Sequence, residues 1–365
     1  MDRHELNRMF DGLAPDPRRE RELLRQLLQD DMRRKRPMKN WKQVVIGAAA
    51  AALLVTGATA AYDHYVRQDM AVEPSQTIQG MFGDSRPAWT ERVEYDEYGN
   101  MGYTPNREIV PVDAALAQAL VGDYLPETGY QWQIGDYTLT VEGYLLDEHT
   151  GTAKFYYTVE HPGGFGDGAV DWDLGLLNYN NYRLSIVFET QSDLDSNWQT
   201  GGWITGREYV DVGRSTPEKL CIVESAASDG GWKAEDGLRI SFTVHGETDR
   251  DDNELTALLE LPGVKSLPAV SADDPATGEA ALKLSASALM LNAVDIDRVG
   301  CIVLDYADGT QYVVMDKANG LDNTDYVCGW GDAPVWTVRY CFNRLVDPSQ
   351  VAAVIVDGQR YVVSQ

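Results

Sequence analysis

Catalysis at neutral pH needs a few residue types held at fixed spacings, and the chain offers little of this. Its five histidines are His4, His64, His149, His161 and His245. None stands beside a Ser or Cys nucleophile motif, and there is no G-x-S-x-G, P-loop, H-E-x-x-H or dinucleotide fingerprint in the sequence. The acid pairs Asp171/Asp173 and Asp251/Asp252 have the composition of a general acid and base. In so acidic a chain such pairs read first as a solvated face. No calcium-loop pattern and no His/Cys cluster occurs, so no metal and no cofactor is expected. Trp172, Trp198, Trp203 and Trp330 are of the type that stacks on sugar rings, although Trp in a β-sandwich more often fills the core. The four cysteines, Cys221, Cys301, Cys328 and Cys341, allow three pairings, and sequence does not choose among them. Cys301 and Cys341 sit in the apolar runs GCIVLDY and VRYCFNRL, which equally suit buried free thiols. The expectation is a protein that binds or signals, not an enzyme.

The elements around these residues are organised by one stretch, residues 44–62, VVIGAAAAALLVTGATAAY, nineteen residues without a charge. As a helix it spans about 28 Å, the thickness of a bilayer's hydrocarbon core. A transmembrane helix is therefore expected over 43–63. Arg25, Arg33, Arg34, Lys35, Arg36, Lys39 and Lys42 crowd its N-terminal flank, and only Arg67 follows at a comparable distance. The positive-inside rule then places residue 1 in the cytoplasm and the C-terminal part outside the cell membrane. A cleaved secretion signal is the rival, with Ala58-Thr59-Ala60 as a small-residue site, but 43 residues precede the apolar run where a signal has only a short charged region. A start at Met38 would restore such a region.

Charge divides the same way. The chain has 57 acidic and 31 basic side chains, net −26; residues 1–42 hold 12 Lys/Arg against 8 Asp/Glu, which leaves 19 basic and 49 acidic groups beyond them. An outer part so negative repels nucleic acid, and direct nucleic-acid binding is not expected of it.

Residues 1–42 read as a cytoplasmic amphipathic head. Leu6, Met9, Phe10 and Leu13 share one helical face, and Pro15-Asp16-Pro17 ends that helix and caps the next. The second helix gathers Leu23, Leu24, Leu27, Leu28 and Met32 on one side. Forty residues bury two such stripes poorly, so a partner groove or the inner leaflet should cover them. Glu20, Glu22, Asp30 and Asp31 weaken adsorption to anionic lipid and favour a protein partner.

Beyond the span, residues 64–130 lack a sustained period and read as a stalk or linker with a short helix near 112–121. From 131 to 250 strands alternate with turns: Tyr137, Leu139 and Val141, then Phe155, Tyr157 and Val159, then Leu184, Ile186 and Phe188, then Leu238, Ile240, Phe242 and Val244. This predicts a first β-sandwich, a linker over 251–280 and a second β-sandwich over 281–365, in which Asp308-Gly309 and Asp357-Gly358 make tight hairpins. The fold class is thus mostly β: short cytoplasmic helices, one transmembrane helix and two extracytoplasmic, immunoglobulin-like antiparallel β-sandwich domains.

The charged head, KNWKQVVIGAAAAALLVTGATAAY, DYTLTVEGYLLDEHTGTAKFYYTVE and the closing FNRLVDPSQVAAVIVDGQRYVV together resemble a family of single-span anti-sigma-factor-like membrane proteins of Gram-positive bacteria. The resemblance implies signal transduction and transcription regulation: a head that holds an extracytoplasmic-function sigma factor and outer domains that sense an envelope signal through an unknown ligand. Leu6, Met9, Phe10, Leu23, Leu24, Leu27 and Leu28, chosen by periodicity, would be the partner-binding residues. The head has no Cys and His4 as its one histidine, which departs from the zinc-binding anti-sigma type. The alternative is a surface-anchored binding or adhesion protein whose head serves as an anchor.

Overall fold

The computed structural model describes residues 75–83, 87–88, 92–95, 101–178, 182–190, 204–228, 233–245, 255–331 and 336–364. All of them belong to one compact unit, Ala71–Gln365. The expected head, with Leu6, Met9, Phe10, Leu23, Leu24, Leu27 and Leu28, and the expected span over 43–63 lie outside the described residues. Among the described residues no helix is long and apolar enough to cross a membrane.

The unit is mostly β, built from antiparallel sheets. An arm comes first: α1 (Gln76–Phe82), a hairpin of β1 (Arg92–Tyr95) and β2 (Met101–Thr104), and α2 (Ala114–Val121). Ser75 and Asp113 cap the two helices, their side chains accepting from Ile78 N (3.2 Å) and Leu116 N (2.9 Å). The described residues of the region read as a stalk thus include two helices and a hairpin, the second helix close to the one expected.

The first sandwich contains β3 (Glu127–Ile134), β4 (Tyr137–Asp147), β5 (Thr152–Glu160), a short hairpin of β6 (Val170–Asp171) and β7 (Leu176–Leu177), β8 (Leu184–Thr190), β9 (Ile204–Val210), β10 (Lys219–Ser228), β11 (Leu238–Val244) and β12 (Leu255–Leu261). Its sheets have the orders β3-β4-β5-β10-β9 and β12-β11-β8. The predicted alternation faces inward: Leu139, Val141, Phe155, Tyr157, Val159, Ile222, Phe188, Ile240 and Phe242 fill one core between the two sheets. The rings of Phe155 and Phe188 stack at 3.6 Å across it.

The second sandwich contains β13 (Ala269–Asp273), β14 (Ala280–Ser285), β15 (Ala288–Val294), β16 (Cys301–Tyr306), β17 (Gln311–Asp316), β18 (Leu321–Asp322), β19 (Thr324–Trp330), β20 (Trp336–Phe342), β21 (Val351–Val356) and β22 (Gln359–Val362). Its sheets run β13-β14-β15-β20-β19 and β18-β17-β16-β21-β22, around a core that includes Leu284, Leu289, Ile302, Leu304, Val314, Tyr340 and Val354. Both Asp-Gly pairs form hairpins as expected. Gly309 has φ 85°, and at the second turn Asp357 (φ 49°) and Gly358 (φ 86°) are both left-handed, the combination a two-residue hairpin demands.

The domain limits need correction. The expected linker, 251–280, carries β12 and β13; β12 completes the first sandwich's smaller sheet and β13 opens the second sandwich. LTALLEL lacks clean alternation because its strand is an edge with apolar residues on both faces. SADDPATGE reads as a loop because it includes the β13–β14 turn, where Asp274 accepts from Ala276 N (2.7 Å).

The outer face of the five-stranded sheet of the first sandwich is also covered. Leu145, Tyr156, Cys221 and Val223 on that face meet Ile78, Met81 and Phe82 of α1, Ala117 and Val121 of α2, and Leu267 and Ala286 from the start of the second sandwich. This shared third core is why the arm and both sandwiches form a single unit.

Candidate functional site

The polar groups that converge most tightly lie where the arm and the two sandwiches meet. Asp325, fully buried on β19, forms ion pairs with Arg107 of the arm and Lys154 of β5. Lys154 Nζ also donates to Ser225 Oγ on β10 (2.7 Å), and Ser225 Oγ donates to Asp325 Oδ2 (3.2 Å). Tyr209 on β9 donates its hydroxyl to the Asp325 carbonyl (2.8 Å), and the Arg107 guanidinium lies over the Tyr209 ring at 4.3 Å. Strand alternation explains the convergence. Lys154, Tyr209 and Ser225 all point to the outer face of the five-stranded sheet, and that face receives β19. Burial disfavours the charge on Arg107, yet Asp325 and Tyr209 outweigh it and raise its pKa; burial likewise raises the Tyr209 phenol.

The main chain reinforces this junction. Asn106 N donates to Gly320 O (2.7 Å), Asp322 N to Asn106 O (2.9 Å), and Glu108 N to Asn323 Oδ1 (2.9 Å). Asn343 Nδ2 donates to Glu108 O (2.7 Å), so residues 106–108 are bound into the second sandwich as an added bridge to β18. At the same end of β5, just before Lys154, the second sandwich also holds the β4–β5 turn. Arg339 Nε donates to Thr150 O (2.8 Å) while its guanidinium lies over Trp330 at 4.9 Å. Asp147, buried in that turn, accepts from His149 N (2.9 Å) and Thr150 N (3.2 Å); burial raises its pKa against the hydrogen bonds of Thr150 and Ser285.

A lysine 2.7 Å from a serine hydroxyl has the outline of a nucleophile and its base. The base role needs a neutral amine, and Asp325 favours the charged one. The serine proton is directed at the carboxylate. The arrangement therefore acts as a clamp: one carboxylate ties a cation from the arm and a cation from the first sandwich to the second. A cleft of about 280 Å³ opens beside it, lined by Pro105, Leu176, Arg207, Tyr209, Thr324 and Tyr326 among others, and so bounded by all three parts.

A second cluster lies inside the first sandwich. Glu208 and Glu224 are directly opposed on β9 and β10, and the Tyr157 hydroxyl reaches both, at 2.9 and 3.4 Å. Burial and then the charge of Glu208 raise the pKa of Glu224 well above the usual carboxylate range.

The residues singled out by sequence are dispersed. Asp171 caps a turn, its Oδ1 accepting from Asp173 N and Leu174 N at 3.0 Å each, and Asp251, Asp252, Trp198 and Trp203 lie outside the described residues. His161 stacks on Tyr137 at 4.2 Å, and Trp172 is 42% exposed. The four cysteines are free, with Cys221 and Cys341 buried. Among the described residues no group of three or more His, Cys, Asp or Glu is placed to hold a metal ion. Sequence reasoning passed over Arg107, Lys154, Ser225 and Asp325. The one local signal was a lysine on the face opposite Phe155, Tyr157 and Val159 in TAKFYYTVE, which reads as a solvent-facing position.

No protein-family model matches the chain, and no curated protein matches it. Among solved structures it is similar to the conserved domain protein from Bacillus anthracis, at 13% identity over 65% of this chain and 79% of that chain, with a TM-score of 0.37.

Proposed function

We propose that the chain is a single-span, membrane-anchored regulator of the anti-sigma type, with a cytoplasmic head that binds an extracytoplasmic-function sigma factor and outer β domains that sense an envelope signal. The expected span over 43–63 and the leucine-striped head are the sequence basis. The observation that carries the reading further is the course of the arm, the segment between that span and the first sandwich. It packs α1 and α2 on the five-stranded sheet and then places Arg107 on Asp325 of the second sandwich. A passive tether has no need of contacts with both domains. An arm bound at their junction is in position to register a change in how they are docked.

The test is capture of a sigma factor from cells by the tagged full-length protein. Leu24→Asp together with Leu27→Asp should abolish capture and leave membrane insertion intact. Undiminished capture would remove the head stripe from the mechanism. The alternative, a surface-anchored binding protein, draws support from a cavity of about 310 Å³ lined by Tyr137, Gly164, Phe165, Gly166, Asp167 and Arg183. Retention of cells lacking any bound sigma factor on immobilised wall polymer, lost on Tyr137→Ala, would favour that reading.

A further inference from the structure

Exposed strand edges invite pairing, and most edges among the described residues are shielded. β9 is bonded through Val210 N to Gly175 O (2.8 Å) and runs beside β7 and β8. The register of β3 shifts between Glu127 and Tyr130, and that of β13 between Ala272 and Asp273, where Ser271 also pairs with Ser364. β19 is shifted between Thr324 and Tyr326 and lies against the first sandwich; β18 has 2 residues and β22 has 4. β12 has none of these devices over most of its length. It is a 7-residue strand, LTALLEL, in unbroken register with β11 from Leu255↔Val244 to Leu261↔Leu238. It contains no Pro and no Lys or Arg, and Glu260 is its one charge. Leu258 is 63% exposed and Leu255 49%. β3, in the facing sheet, approaches it at the sandwich corner.

We propose that β12 pairs with β12 of a second copy of this chain, antiparallel about a two-fold axis through Leu258. The strand is self-complementary in that register. Toward the core side, Leu255 opposes Leu261 and Ala257 opposes Leu259; on the outer side, Thr256 opposes Glu260 and Leu258 meets its own counterpart. The single charge of each copy thus faces a hydroxyl and not its like, which matters between two strongly acidic molecules. Pairing continues the sheet β8-β11-β12 through the mate and extends the outer apolar strip, since Leu258, Ser241 and Val187 lie in one row and Val187 is 42% exposed. The contact is isologous, so it uses the β12 edge of both copies and closes at a dimer. It involves a surface distinct from the Asp325 junction, and it stands whether or not the head binds a sigma factor.

The register makes the test specific. In membranes carrying the full-length chain, Leu258→Cys should give a disulfide-linked dimer under mild oxidation, because directly opposed residues sit about 5 Å apart. Thr256→Cys and Glu260→Cys should each link poorly alone and well when combined in one chain. Val187→Cys, exposed on the same face but two strands from the edge, is about 24 Å from its mate and should stay monomeric. The unsubstituted chain controls for the native cysteines. Leu258→Asp sets like charges on the axis and should convert the detergent-solubilised dimer to monomer in sedimentation. Equal linking by Val187→Cys and Leu258→Cys, no linking by Leu258→Cys, or a Leu258→Cys adduct with a different protein would each overturn the proposal.

Discussion

Replacing Asp325 by alanine removes the carboxylate that Arg107 and Lys154 share in a buried site. Their side chains are each 2% exposed and that of Asp325 is 0%, so solvent screens the two cations poorly. Removing one partner of a buried pair costs about 3–5 kcal/mol, and here one carboxylate serves two cations, which places the expected loss toward the upper end. For a unit of this size that is a fall of about 10 °C in melting temperature. Because the clamp joins the sandwiches and does not lie in the core of either, the loss should appear as separation of one calorimetric transition into two. Arg107→Met, Lys154→Met and Asp325→Leu combined should recover most of the loss, since a well-packed apolar replacement of a buried ion cluster is often neutral or better. Differential scanning calorimetry of the full-length protein in detergent reads both effects. An Asp325→Ala protein that melts like the parent, or a triple variant as damaged as the single one, would refute the assignment of Asp325 as the electrostatic keystone of the junction.

Two further outcomes are expected. Glu224 has a raised folded-state pKa, so the native state keeps a proton that the unfolded chain releases: its contribution is full below about pH 4.3, the unfolded value, and declines as pH rises through the folded one. Melting temperature should therefore fall from mild acid toward pH 8, and Glu224→Gln should flatten the slope; an unchanged slope would mean another group titrates. At Gly80, on the buried face of α1, an added methyl overlaps the Tyr156 ring, so Gly80→Ala should cost about 1–3 kcal/mol and open the arm to limited proteolysis before either sandwich.

The strands were legible where one face alone is buried. In YTLTVEGYLLD the first half alternates, and Leu139 and Val141 are fully buried as the pattern requires. From Tyr144 to Asp147 every residue is buried, because there the outer face is covered by α1 and the second sandwich, and alternation disappears. The same double coverage explains the run TAKFYYTV, all of it buried, in which Lys154 occupies an outer-face position. A lysine there looks like a solvent-facing residue until the element that covers it is known. Arg107 and Asp325 are separated by 218 positions, and no local period relates them. Periodicity reports on the strand and its nearest layer; a junction of three layers depends on long-range docking. The two acids of the Tyr157 cluster were hidden for the same reason, as 16 positions separate Glu208 from Glu224 and only the strand register opposes them.

The junction also constrains how a signal could reach the arm. The segment joining the sandwiches is itself pinned: Leu267 is fully buried and its N–H donates to Leu146 O (3.1 Å), and Ser266 Oγ accepts from Glu148 N (3.0 Å). A connector bonded along the β4–β5 hairpin leaves little freedom for the sandwiches to hinge while both remain docked. Ligand binding to a fixed unit shifts nothing unless the ligand distinguishes the docked state from another, and its leverage is limited to that difference in affinity. On the proposed regulator reading the alternative would be a state in which Asp325 has parted from Arg107 or Lys154, whose side chains are buried in the docked unit. The cleft bounded by Arg207, Tyr209, Thr324 and Tyr326 is where a ligand would touch both sides of that separation at once. A ligand that fills it strengthens the docked state, whereas one that requires it to open must supply what the clamp holds; either way the arm, through Arg107, is bound to the outcome.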